Sequence, residues 1–294
     1  MAFTLPRFGV SQFSTWPQSF EQDLQVYQEI GVQCIEVCEA KLAAENPHPQ
    51  LERLQQTGLQ VVSVQPRLHS LFPDRPRPIP VSPADRMMRL RDTIRLFGPY
   101  FPGTTVVTIS GAAPNGNYDL GYRTANHEYR EVARAAADHG VRLALEPLNP
   151  ILMNVDTFIC SLAEASRIVQ EVDHPAFGLF VDVWHVWQDA TACGQIEQLG
   201  RKIYGVHVND WKTPRAFGDR FLPGDGEIPI VTLLQAIRKS GYAGAYTLEI
   251  FSETHLEGSL WADPRRPFFR ANWHLNSYGN EHASERKSHS GYGL

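Results

Sequence analysis

Long hydrophobic runs are missing from this chain of 294 residues. No apolar stretch approaches the roughly 20 residues that span a bilayer. Excess basic charge is missing as well. Lys and Arg number 27 against 32 Asp and Glu, and the net charge of -5 gives no general attraction to nucleic acid or to an anionic membrane. Cysteine is scarce, and the four present form no metal-binding spacing. Cys34 and Cys38 share one face of a predicted strand, about 13 Å apart at about 3.3 Å per residue, beyond the reach of a disulfide. They read as buried free thiols of a reducing compartment. The opening residues, Met1 to Trp16, lack the basic start and apolar core of a secretory signal, so a cytoplasmic location is expected.

What the chain has is rhythm. Eight extended segments, at 7–11, 34–37, 59–65, 104–110, 142–148, 177–183, 203–208 and 245–251, alternate with helical patterns. Residues 18–30 place Leu24, Tyr27 and Ile30 at helical spacing and stop at Gly31. Ser82 predicts an N-cap with Pro83 at the first helical position. Residues 122–139 stop at Gly140 and 231–240 at Gly241, because glycine tolerates the left-handed conformation that closes a helix. Gly58 and Gly200 repeat the device. Parallel neighbours need crossover helices, so the alternation predicts a parallel sheet, and eight units predict closure into a (β/α)8 TIM barrel. The length suits one such domain over 1–275, with a polar tail from 276 to 294. The eighth helix is expected at 256–270, interrupted by Pro264 and Pro267.

The last four extended segments each close on a polar residue: Glu146 in LALEPLNP, Asp182 in FVDVWH, His207 in GVHVND and Glu249 in YTLEIF. Strand side chains alternate with a period of two. Counting back puts Ala144 and Arg142, Phe180 and Gly178, Gly205 and Ile203, and Thr247 and Ala245 on the same inner face. The opposite parity, Leu143, Leu179, Tyr204, Val206 and Leu248 among them, faces the helices. All four polar residues therefore point inward at the C-terminal mouth, where barrel enzymes place their sites. Three buried carboxylates repel one another, and a divalent cation removes the conflict. Oxygen-rich ligation with one nitrogen suits Mn²⁺ above all, with Mg²⁺, Co²⁺ and Zn²⁺ also able to bind.

Further motifs follow in order: Asp182-Val-Trp-His185, His207-Val-Asn-Asp210, Arg220-Phe-Leu-Pro223-Gly224-Asp225-Gly226, then Glu249. With Glu146 ahead of them, the chain resembles the sugar phosphate isomerase/epimerase family, the xylose isomerase-like barrels. That family includes ketose 3-epimerases, hydroxypyruvate isomerase, inosose-processing enzymes and, more distantly, an apurinic endonuclease. The motifs cover about 140–255, and the strand–helix rhythm extends the likeness over about 1–270. The resemblance implies that Glu146, Asp182, His207 and Glu249 ligate one divalent metal and that His185 and Arg220 bind substrate oxygens. It also implies a homodimer. Gly224 and Gly226 read as the turn before the seventh crossover helix, where a phosphate site is conceivable.

The chemistry so implied is proton abstraction beside a carbonyl, with enediolate charge stabilised by the metal. Glu146 and Glu249 would act as the two proton carriers, from opposite faces of a keto-sugar. Return of the proton to the same carbon is epimerisation; return to its neighbour is isomerisation. Specificity is expected from loops after the first four strands, which carry Phe13, Trp16, Glu36, Arg67, His69, Phe72 and Ser110. Of these, His69 and Trp16 are the substrate-contact candidates. With Trp184, Trp187 and Trp211 they suggest an aromatic mouth. A lyase on the same metal, acting as dehydratase or as deglycosidase of a keto-glycoside, is the alternative reaction. A non-catalytic sugar-binding subunit is the alternative of another class. A multi-zinc DNA nuclease is disfavoured, since the fourth strand and the PGDGE segment lack the extra histidines.

Overall fold

The computed structural model describes residues 7–213 and 218–252. The strands are β1 (Phe8–Ser11), β2 (Cys34–Cys38), β3 (Gln60–Gln65), β4 (Thr105–Thr108), β5 (Arg142–Leu145), β6 (Phe177–Asp182), β7 (Ile203–Val208) and β8 (Tyr246–Leu248). All are parallel and pair in chain order, and β8 returns to β1 with Phe8 opposite Tyr246, so the barrel is closed. The predicted eighth helix at 256–270 and the polar tail from 276 lie outside the described residues. Among the described residues no helix is long and apolar enough to cross a membrane.

Helices α1 (Phe20–Glu29), α2 (His48–Gln56), α3 (Pro83–Phe97), α4 (Tyr118–Asp138), α5 (Leu162–Val172), the single turn α6 (Val183–Val186), α7 (Ala192–Leu199) and α8 (Ile230–Lys239) fill the connections. Local chemistry sets their starts. Ser82 accepts from the Asp85 amide with Pro83 behind it, as predicted. Ser19 and Gln22 form a reciprocal capping box that starts α1. Helix α4 begins four residues earlier than its apolar pattern indicates, because the Asn117 side chain accepts from the Leu120 amide and caps it there.

Several strands are shorter than their apolar runs. β5 stops at Leu145 rather than at 148, since Pro147 has no N–H for the ladder. β6 stops at Asp182, whose carboxylate accepts from the Trp184 amide and opens α6. Glu146 and Glu249 consequently stand one residue past β5 and β8, while Asp182 and His207 lie within the last two residues of β6 and β7. All four occupy the C-terminal mouth.

The helix-facing sides of the strands form two apolar layers, one under α1, α2, α7 and α8 and one under α3, α4 and α5. The inner face carries a small separate cluster of Val107, Ala144 and Phe180 with Tyr204 against it. Here the expected parity fails. Leu179 pairs with Ile203 but Phe180 pairs with Gly205, so Tyr204 is the extra residue of a β-bulge. The bulge sends Ile203 to the helix layer and turns Tyr204 toward the N-terminal end of the barrel interior. The Arg142 guanidinium lies 5.0 Å over the Tyr204 ring. Beyond the bulge the frame recovers, and His207 faces inward opposite Asp182.

Gly205 is required by this packing. A Cβ there would overlap the Phe180 ring, and Phe180 in turn lies 4.4 Å, centroid to centroid, from the His207 imidazole. The Gly205→Ala variant is expected to lose about 1–3 kcal/mol of stability through overpacking, read as a lower urea midpoint at unchanged slope.

A second device fastens the loop after β1 to β2. Gln12 donates to Asp23 at 2.8 Å and accepts from the Cys38 amide at 2.9 Å, and Lys41 reaches Asp23 at 2.7 Å. Burial pushes the Asp23 carboxyl up from 3.8 to about 6, against the pull of Lys41. The folded chain therefore holds a proton that the unfolded chain has released. This group's contribution is complete below its unfolded value and is lost as the pH rises through about 6. Urea titrations from about pH 4 to 7 are expected to show that loss in the wild type and not in Asp23→Asn.

Candidate metal centre

Five strands, β2 and β5 to β8, bring ligand atoms into two buried groups that share one residue. Glu146, Asp182 and His207 place ligand atoms within 4.8 Å of one another, as do Glu36, His207 and Glu249. His207 is common to both groups and fully buried. Its Nδ1 stands 3.2 Å from Glu249 Oε2, 3.5 Å from Glu146 Oε1 and 3.9 Å from Asp182 Oδ2. None of these approaches has the geometry of a hydrogen bond, and both Nδ1 and Glu146 Oε1 are buried with no hydrogen-bond partner. The other ring nitrogen, Nε2, is 3.0 Å from both Glu36 oxygens.

Four buried carboxylates thus face one guanidinium, that of Arg220, and one imidazole. With all four ionised and His207 protonated, two negative charges would remain uncompensated among the described residues. Burial and neighbouring charge divide the titrations accordingly. Burial drives Glu146 up to about 7 against the pull of His207. Arg220, His185 and His207 overcome burial at Asp182 and hold it down at about 2. His207 and Arg220 likewise overcome burial at Glu249 and lower it. At His207 burial opposes the charge, but Glu249 and Glu36 outweigh it and raise the imidazole well above its ordinary value. The donor set, three carboxylates and one imidazole around two unpartnered ligand atoms, fits a hard divalent cation.

Arg220 comes from the loop between β7 and α8. Its Nη1 donates to Asp182 Oδ2 at 2.7 Å and to Glu249 Oε2 as well, so it bridges two predicted ligands. Its guanidinium sits 4.7 Å over the Phe251 ring and 5.1 Å over Trp184. The Asn149 amide donates to His185 Nδ1 at 3.0 Å, which puts the proton of the neutral ring on Nε2. Burial lowers His185 to about 4, so that neutral form prevails near pH 7. Nε2 then meets Arg220 Nη2 at 3.2 Å as donor facing donor. A substrate oxygen between them could accept from both.

Asp210 organises the loop that carries Arg220. One oxygen accepts from the Trp211 and Ile228 amides at 2.8 and 3.0 Å, and the other from the Gly224 and Gly226 amides at 2.9 Å each. Asp210 and Phe221 also exchange backbone hydrogen bonds, next to Arg220. The two glycine amides of the PGDGE segment are therefore already taken by a carboxylate. The conceivable phosphate site at Gly224 and Gly226 is filled from within the chain.

The other sequence candidates divide. Trp16, 42% exposed, stacks on Phe13 at 5.5 Å, and Phe13 meets Phe251 at 5.2 Å, so an aromatic shelf leads from the surface to Arg220. His69 is buried in its own loop. Its Nδ1 lies 3.0 Å from the Pro66 carbonyl and 2.9 Å from Arg77, and among the described residues no hydrogen bond joins it to the four mouth residues. Phe72 packs on Phe158 in the core, and Ser110 bonds to Thr157 and the Phe158 amide. Arg67 holds backbone carbonyls of Glu39 and Leu42. Trp187 pairs with Trp211 at 5.3 Å. Sequence reasoning missed Glu36 as the partner of His207. The signal was present in CIEVC, where an acid sits in mid-strand on the inward parity. It also missed Asn149 as the residue that fixes His185, and a backbone amide leaves no such signal.

The chain belongs to the xylose isomerase-like TIM barrel family, whose model matches residues 24–271. It is 30% identical over 126 residues to the inosose isomerase of Halalkalibacterium halodurans, covering 41% of this chain and 43% of that protein. It is 28% identical over 142 residues to the fructoselysine 3-epimerase of Escherichia coli O157:H7, covering 48% and 50%. The chain spans about half the length of the relatives it matches. Among solved structures, the IolI protein with a binding zinc atom superposes with a TM-score of 0.73 at 16% identity, over 94% of this chain and 98% of that one, which shows the shared fold.

Replacement of Asp210 by Ala orphans four amides and should cost about 1–3 kcal/mol. Hydrogen exchange should accelerate at Gly224, Gly226 and Ile228 while the amides of β5 and β6 stay protected; unchanged protection of the loop would refute the organising role.

Proposed function

We propose that this protein is a divalent-metal-dependent isomerase or epimerase of a keto-sugar. The observation that carries the reading is a pair of buried atoms without a hydrogen-bond partner, His207 Nδ1 and Glu146 Oε1, 3.5 Å apart, with Glu249 Oε2 and Asp182 Oδ2 at 3.2 and 3.9 Å from Nδ1. Those four residues would hold the metal, which when bound supplies Lewis-acid charge to the substrate oxygens on which enediolate charge develops. The zinc in the IolI protein, a neighbour by fold, is consistent with such a centre. Oxygen-rich ligation extends the choice to Mn²⁺, Mg²⁺ and Co²⁺.

The chain's own groups then divide the work. His185 Nε2–H and the Arg220 guanidinium grip a substrate oxygen and fix the sugar over the mouth. Glu146 and Glu249, from β5 and β8 on either side of β6 and β7, remove a proton from the carbon beside the carbonyl and deliver one. Delivery from the opposite face to the same carbon gives an epimer, and delivery to the adjacent carbon gives the aldose–ketose isomer. The inosose isomerase and fructoselysine 3-epimerase among its relatives support a polyhydroxy carbonyl substrate. Because Asp210 already fills the amides around Gly224 and Gly226, an unphosphorylated sugar fits this loop better than a sugar phosphate.

A second reading is favoured by the shelf of Trp16, Phe13 and Phe251, which suits an apolar substituent on the sugar. If that substituent leaves from the carbon next to the enediolate, the same centre acts as a lyase.

One experiment tests both. Metal-replete protein in D₂O is expected to exchange deuterium into a keto-sugar or keto-glycoside, and Glu146→Gln and Glu249→Gln are each expected to slow the exchange by roughly 10²–10⁴-fold. Isomer formation identifies the first reaction and release of water or aglycone the second. Sugar binding with no exchange under Mn²⁺, Mg²⁺, Co²⁺ or Zn²⁺ would instead mark a non-catalytic binding subunit.

A further inference from the structure

Glu36 sits in the middle of β2, fully buried, across the interior from β6 and two strands along from β8 in the closed barrel. Nothing in a hydrophobic strand requires an acid there, and a buried carboxylate is tolerated only when it is paired. Its partners are specific. Both oxygens lie 3.0 Å from His207 Nε2, and Ser63 Oγ donates to Oε2 at 2.7 Å. Ser63 is brought beside Glu36 by a local irregularity: Ile35 pairs with Val61 but Glu36 pairs with Ser63, so β3 carries one extra residue at this point. Such bulges re-aim a side chain. The chain Ser63–Glu36–His207 therefore ties β3 and β2 to β7 across the interior.

We propose that Glu36 is a positioning residue that aims His207 at the metal. The proposal rests on the reading that His207 Nδ1 is a ligand atom. Glu36 accepts a hydrogen bond from Nε2–H, fixes the tautomer that leaves the Nδ1 lone pair free, and sets the ring rotation that directs Nδ1 toward Glu146, Asp182 and Glu249. Its negative charge makes Nδ1 a stronger donor. Glu36 has ligand-competent atoms near those of His207 and Glu249. It approaches the ring from the Nε2 side, however, whereas the two unpartnered atoms lie on the Nδ1 side. Positioning accounts for both sides of the ring at once. Ser63 completes the arrangement by holding one Glu36 oxygen.

The test compares chelator-stripped wild type, Glu36→Gln and Ser63→Ala. Zn²⁺ affinity is measured by calorimetry, and the His207 ring nitrogens are read by long-range ¹H–¹⁵N correlation in the Zn²⁺-loaded proteins. The wild type is expected to show Zn²⁺ on Nδ1 and hydrogen on Nε2. Glu36→Gln is expected to weaken Zn²⁺ binding by about 10–100-fold and to shift the Nε2 resonance, effects that loss of packing alone does not produce. Ser63→Ala leaves the carboxylate in place and should give a smaller loss in the same direction; it carries the test if Glu36→Gln fails to fold. Wild-type affinity and an unshifted Nε2 in the variants, or Zn²⁺ on Nε2 in the wild type, would overturn the positioning role alone. A wild type that binds no divalent metal would remove the metal reading and this role together.

Discussion

Everything at the mouth of this barrel answers to the repulsion among four carboxylates withdrawn from water. Glu36, Glu146, Asp182 and Glu249 are all buried, and each reaches the same imidazole or the same guanidinium. Taking one charge out of water costs several kcal/mol, and attraction repays that only where the geometry is good and the remaining lone pairs are satisfied. Arg220 meets the condition for Asp182 and Glu249, and His207 meets it for Glu36. Glu146 is the member left over. Its carboxyl is driven up to about 7, and its Oε1, 3.5 Å from His207 Nδ1, has no hydrogen-bond partner. The protein folds around an electrostatic deficit of defined position, one that a divalent cation would fill on the proposed reading.

The rest of the structure keeps that deficit in place. Parallel strands bring residues far apart in sequence to one level of the barrel: Glu36 and His207 are 171 positions apart and in contact. The loops add the correction that strands cannot make. Arg220 has no strand beneath it, so its aim depends on Asp210 gathering four amides of the loop and on the backbone bond from Arg220 to the Phe251 carbonyl. Asn149 performs the same service for His185 through one amide.

Much of this was legible in the chain itself, for a physical reason. A closed parallel barrel repeats one unit eight times, so apolar runs, glycine stops and strand parity report the architecture and the inward direction of Glu146, Asp182, His207 and Glu249. Parity misleads only where the backbone inserts a residue. At Tyr204 the bulge reverses the side of two residues and is then silent, and nothing in IYGVHV marks it. Strand ends were overestimated wherever apolar character continues after the ladder has ceased, as at Pro147. Loop residues were the least legible. Phe72 and Ser110 have the composition of a binding surface and the burial of a core, a distinction made by contacts over dozens of residues. Glu36 was visible as an oddity, but its partner was set by closure of the barrel.

The cluster of Val107, Ala144, Phe180 and Tyr204 has one further consequence. It fills the interior one layer below His207, with the Phe180 ring 4.4 Å from the imidazole, so among the described residues that imidazole is approached from the C-terminal mouth. On the proposed reading an ion at the bottom and a sugar above it would share that doorway. Traffic would then be last in, first out, with the ion seated before the sugar arrives and retained until the sugar has gone.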